Sequence, residues 1–176
     1  MSQMKILSFD PASFRNLGYA FILFDSELTN KLSIQAGTLI VDNMQEPWRS
    51  CFPVYNFAKM LLLKVQPDLV ILEKTSSFRG GFVSGQVSAC LGSLYVSIGE
   101  YKNTDIEFVY PTHVKKVITG KGKATKTEMK RSVNQLIEKH TGQSMKLDSD
   151  HAYDAVGNII CWLTDSGYLV GENNET

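Results

Sequence analysis

Three apolar runs joined by short links open this chain, and strand and helix patterns alternate after them. MKILSFDP alternates into a strand that ends at Asp10. LGYAFILF (17–24) and KLSIQAGTLIV (31–41) read as the next two strands, and links this short make an antiparallel meander. A helical pattern follows from about Glu46 to Gln66; Pro47 suits its first turn, and Pro53 is expected to kink or interrupt it. PDLVILE (67–73) reads as a short buried strand ending at Glu73, and SSFRGGFVSG as a glycine-rich loop. A helix is predicted from Gly85 to Tyr101, then a strand in IEFVYP, a short helix in THVKKVI and a basic loop in GKGKATK. TEMKRSVNQLIEKH is amphipathic, with Thr127 available as its cap, and a last helix begins within LDSDHAYDAVGNIICWL. A meander followed by αβαβα crossovers predicts the α/β class, with a mixed five-stranded sheet and helices on both faces.

The 176 residues suit one domain, expected over 1–170, with a polar tail at 171–176. Hydrophobic residues make up 43% and charged residues 20%, the ordinary globular range, and no apolar run is long enough to span a bilayer. The N-terminus lacks a signal-peptide pattern, and the expectation is a cytoplasmic protein, in the host's cytoplasm if the chain is phage-encoded. Cys51, Cys90 and Cys161 form no CxxC pair, so free thiols are expected rather than a cysteine-built zinc site. The 18 basic and 18 acidic residues balance overall but not locally. Lys115, Lys116, Lys121, Lys123, Lys126, Lys130 and Arg131 are opposed only by Glu128, a basic strip of the kind that meets phosphates or simply faces solvent.

Asp10 and Glu73 each close a buried strand, at the strand ends where ligands of such sheets bind. A carboxylate in that position is desolvated on one side and needs a partner or a proton. The last helix opens with Asp148, Asp150, His151 and Asp154 in less than two turns, and His151 and Asp154, three apart, share a face. Taken singly these residues have ordinary readings. Asp10-Pro11 suits a turn, Glu73 suits a pair with Lys74, Asp148 suits an N-cap and His151 suits a helix end. Asp10, Glu73, His151 and Asp154 together would make an oxygen-rich site with one nitrogen, which suits Mg2+ or Mn2+. Two such ions, about 4 Å apart, serve phosphodiester hydrolysis.

The chain resembles the RuvC family of Holliday-junction resolvases, within the ribonuclease H-like superfamily, in four blocks taken in order. ILSFDPASFRNLGYAFI is similar to the opening block, PDLVILEK to the second, YPTHVKKVITGKGKATKTEM to the basic block and DHAYDAVGNII to the last. The resemblance implies a ribonuclease H-like fold, with Asp10, Glu73, His151 and Asp154 as ligands of Mg2+ or Mn2+, two ions per site. It places Lys115 and Lys126 near the scissile phosphate. It also implies a homodimer that nicks two opposed strands of a four-way DNA junction. We expect Lys116, Lys121, Lys123, Lys130 and Arg131 to meet DNA. Phe78 and Arg79 join them; Phe78 is the aromatic nearest the place where the family unstacks a base. The expected dimer contact is the helix from Gly85 to Tyr101, where Ser88 and Gly92 permit close approach.

Three other readings compete. One is a junction-binding protein without cleavage, against which the intact acids speak. Another is a ribonuclease H-like nuclease of RNA–DNA hybrids or branched replication intermediates, against which the lysine block speaks. An actin-like ATPase shares the opening strand and Asp, but needs two lobes that a chain of this length does not hold.

Overall fold

The computed structural model describes residues 3–11, 15–25, 31–41, 49, 51–74 and 81–169. β1 (Gln3–Asp10), β2 (Asn16–Asp25) and β3 (Lys31–Ile40) form the expected antiparallel meander. After α1 (Cys51–Val65), β4 (Leu69–Glu73) lies parallel to β1. α2 (Gly81–Tyr101) then leads to β5 (Asp105–Val109), parallel to β4, and the sheet order is β3-β2-β1-β4-β5. α3 (Pro111–Thr119), α4 (Lys126–Thr141) and α5 (Asp150–Asp165) complete the chain. The mixed five-stranded α/β fold is as the sequence predicts.

Strand alternation divides the core into two layers. Leu7 and Phe9 of β1, with Val70 and Leu72 of β4, pack against Val54, Ala58 and Leu62 of α1 and Cys90, Leu94 and Ile98 of α2. Ile6 of β1, with Leu69 and Ile71 of β4, faces the other way, against α3, α4 and α5. Asp10 has the parity of Ile6, and Glu73 that of Leu69 and Ile71, so both carboxylates belong to the α5 side of the sheet. β1 and β4 pair with Phe9 opposite Leu72, and one further step along that register sets Asp10 beside Glu73.

Several local expectations are corrected. α1 starts at Cys51, so Pro53 falls in its first turn, where a missing N–H costs nothing, and the expected kink does not occur. Pro47 lies outside the described residues. α2 begins at Gly81 rather than Gly85, so part of the glycine-rich stretch is helical. A mid-helix glycine costs only about 1 kcal/mol, which a long helix packed on a sheet absorbs. The cap of α4 is Thr125, not Thr127: its hydroxyl accepts from the Glu128 amide, and the Glu128 carboxylate accepts from the Thr125 amide, a reciprocal capping box. The cap of α5 is Ser149, not Asp148. Asp148 instead accepts from the Thr38 amide at 3.0 Å and the Thr38 hydroxyl at 2.9 Å, tying the start of α5 to β3.

That tie belongs to a row across three strands. Asp10 pairs with Gly18, and Gly18 pairs with Thr38. α5 lies so close to this row that a Cβ on Gly18 would sit 2.2 Å from the His151 carbonyl oxygen. Backbone on backbone cannot yield cheaply, so Gly18→Ala is expected to lower stability by about 1–3 kcal/mol and to lift His151 from its place. Urea denaturation measures the loss, and an unchanged midpoint would show that α5 shifts without cost.

Candidate active site

Asp10, buried at the end of β1, meets His151 in the first turn of α5: His151 Nδ1 lies 2.9 Å from Asp10 Oδ2. Asp154 stands one turn further along α5. One ligand atom from each of Asp10, His151 and Asp154 lies within 4.8 Å of the other two. Glu73 is outside that tight group but inside its field. Burial, then the charges of Asp10 and Asp154, push its carboxyl up to about 8, while Lys115 and His151 pull the other way. Burial and Asp10 push Asp154 up to about 6, against His151, Lys126 and Lys115. The hydrogen bond that His151 makes to the Asp10 carboxylate raises it above the usual imidazole range.

The structure therefore brings Asp10, His151 and Asp154 together, with Glu73 beside Asp10 on the neighbouring strand and within reach of their charges. Three carboxyl groups share a desolvated corner, and the cations nearby do not neutralise them. The positive end of the α5 dipole favours acids there, but only by about 1 kcal/mol. A divalent cation fits this donor set, which has carboxylate oxygens in excess and one imidazole.

The basic strip divides. Lys115, partly buried on α3, acts on both Glu73 and Asp154. Lys126 reaches Asp150 at 3.0 Å, and Lys130 contacts the other Asp150 oxygen. Asp150 is thus committed to two lysines that hold it below the usual carboxylate range. Lys121 pairs with Glu128 at 3.0 Å. Lys116, Lys123 and Arg131 are exposed. Phe78 and Arg79 lie outside the described residues. Sequence reasoning missed Gly18, Thr38 and Ser149. The Gly-Tyr after the opening strand was the only visible trace of the first, and nothing local marks Thr38.

The raised Glu73 carboxyl has a testable sign. In chelator, the folded protein keeps a proton on Glu73 up to about pH 8, whereas an unfolded chain loses it near pH 4.3. The folded state binds the extra proton between those values, so stability falls as pH rises through that window and levels off above it. Asp10 on β1, Asp154 and His151 on α5 and Lys115 on α3 all face this group. Glu73→Gln is expected to match the parent near pH 4.5 and to exceed it at pH 8 by on the order of 2–4 kcal/mol. Urea unfolding in chelator at both pH values reads this out; a gap that does not widen would mean that Glu73 is ionised in the fold.

A family model described as "Crossover junction endodeoxyribonuclease RuvC" matches residues 6–162. The protein of that name from Rickettsia typhi is 29% identical over 165 residues, covering 94% of this chain and all of the relative. That from Rickettsia felis is 30% identical over 154 residues, 87% of this chain and 93% of the relative. Among solved structures, Thermus thermophilus RuvC in complex with a Holliday junction substrate superposes with a TM-score of 0.77 at 18% identity, covering 96% of this chain and 99% of that one.

Proposed function

Because this chain belongs to the RuvC family of crossover junction endodeoxyribonucleases, we propose that it resolves four-way DNA junctions by metal-dependent phosphodiester hydrolysis at Asp10, Glu73, His151 and Asp154. The observation that carries this reading is the meeting of Asp10, His151 and Asp154 within 4.8 Å, beside a Glu73 that cannot ionise comfortably without a cation. Mg2+ or Mn2+, two ions per site, suits these donors. Such ions, when bound, supply a polarised attacking water and neutralise charge on the departing oxygen.

The chain's own residues do the rest. Asp10, Glu73 and Asp154 present the carboxylates, from a rigid sheet and the first turns of α5. His151 turns Nδ1 toward Asp10, which orients the ring and leaves Nε2 to hold or pass a proton. Lys115 and Lys126 stand where positive charge steadies the reacting phosphate. Lys116, Lys121, Lys123, Lys130 and Arg131 supply further contacts to the DNA backbone. No helix among the described residues is long and apolar enough to cross a membrane.

Asp10→Asn and His151→Ala are expected to lose nearly all cutting while junction binding stays intact, since binding rests on lysine–phosphate contacts. The test incubates each protein with a four-way junction, a linear duplex and an RNA–DNA hybrid, with Mg2+, Mn2+ or chelator. Paired nicking of the junction alone supports the reading. Preferred cutting of the hybrid would make this a different nuclease of the same fold, and binding without cutting in either metal would leave a junction-binding protein. Retained cutting by Asp10→Asn would sink the site.

Paired nicks need paired sites, and a homodimer supplies them. The outer face of α2 fits that role. Gly92 is open above its Cα, and Val96 (56% exposed) and Phe52 of α1 (61%) flank it. With Tyr55, Ala89 and Ser93 these residues line a shallow groove between α1 and α2. Val96→Asp is expected to sediment as a monomer at micromolar concentration where the parent is a dimer. A monomeric parent, with or without junction, would remove this part of the reading.

A further inference from the structure

α5 carries a second cluster beyond its first turns. Cys161 and Asp165 lie one helical turn apart, and His113 reaches them from α3. His113 Nε2 is 2.8 Å from Asp165 Oδ2, and the Cys161 thiol donates to that same oxygen at 3.6 Å. One nitrogen, one sulfur and one oxygen atom thus lie within 4.8 Å of one another. None of the three has a part in the chemistry above. Cys161 is seven residues past Asp154, about 10 Å along the helix, so this cluster is separate from the acidic corner.

An ion pair alone accounts poorly for the arrangement. The His113 and Asp165 side chains are about half exposed (48% and 45%), where a pair contributes little. The sulfur, though buried among the apolar residues of this layer, lies 3.6 Å from the shared carboxylate oxygen. Imidazole, thiol and carboxylate on two helices are a donor set for a tetrahedral ion, with solvent as the fourth ligand through the exposed side. Bonds of 2.0–2.3 Å would set the ligand atoms about 3.3–3.8 Å apart. The sulfur–oxygen separation already lies in that range, and the His113–Asp165 pair would open by less than an ångström. Burial pushes the Cys161 thiol up to about 12, so only a strongly thiophilic cation displaces its proton to solvent, and Mg2+ does not.

We propose that His113, Cys161 and Asp165 form a second metal site, for a thiophilic divalent cation of the zinc class, that clamps α3 to α5. The assignment is independent of the nuclease reading and stands or falls without it.

Full-length protein stripped with chelator and titrated with Co2+ provides the test. A near-ultraviolet sulfur-to-cobalt charge-transfer band is expected, saturating at one ion per chain, bleached by Zn2+ and untouched by excess Mg2+. The acidic corner has no sulfur and stays dark, so Asp10→Asn should keep the band. Cys161→Ser should abolish it. His113→Ala and Asp165→Asn, both at half-exposed positions, should each weaken Co2+ binding by more than the roughly 100-fold that losing an outer-shell partner costs at most. Absence of the band in the parent protein overturns the proposal. So does a band of parental affinity in His113→Ala or Asp165→Asn, which would place the ion at another thiol.

Discussion

The docking of the first turn of α5 onto one row of the sheet is the contact on which the rest of the structure depends. The row runs Asp10, Gly18, Thr38 across β1, β2 and β3. Each member gives the helix something different. Asp10 offers a carboxylate to the His151 ring. Gly18 offers the absence of a side chain beneath the His151 carbonyl. Thr38 gives its amide and hydroxyl to Asp148, and its hydroxyl also meets Ser149, the cap of α5. A one-residue slip between β1 and β2 would break all of this at once, because it turns every side chain to the opposite face. The hydrophobic layers make such a slip prohibitive: Leu7 and Phe9 would trade layers with Ile6, Ser8 and Asp10. Core packing therefore fixes the register, and the register places the acids.

Placement has an electrostatic cost that the fold does not remove. Three carboxyl groups at the edge of the α5 layer repel one another and are stripped of water, so Glu73 and Asp154 answer by holding protons more tightly. Replacing buried charges by apolar residues of similar volume is often neutral or stabilising. Retaining acids there makes sense if a cation replaces the protons. On the proposed reading, the same desolvation that weakens the metal-free fold strengthens each carboxylate's hold on a divalent ion.

Much of this was legible in the sequence. The strands show because alternation and short links leave few arrangements, and Asp10 and Glu73 show because a carboxylate directly after ILSF or LVIL is conspicuous. His151 and Asp154 show through helical spacing. The rest depends on what lies opposite in space. Asp148 has the composition of a cap, but its partner is Thr38, 110 residues away, and local pattern cannot report that. Ser149, one step on, has the extended backbone that a cap requires. Thr125 is marked in the sequence by Glu128 three residues on, the capping-box spacing that Thr127 lacks, and that carboxylate bonds back to Thr125. Gly18 looks like an ordinary strand residue until the helix is laid over it.

Asp150 shows how the basic strip remains usable. It lies next to His151 yet turns toward Lys126 and Lys130 rather than joining the acidic corner. Their contacts hold two ammonium groups near the acids. Lys126 is kept well charged by that bond, and its charge also reaches Asp154 and Asp10. An exposed lysine–carboxylate pair is worth only about 1 kcal/mol or less. A phosphate that arrives with its own negative charge can therefore take over either lysine at little cost, and the released Asp150 returns to water rather than to a buried site. On the proposed reading, the positive charge thus waits for a phosphate oxygen, held loosely enough to be handed over.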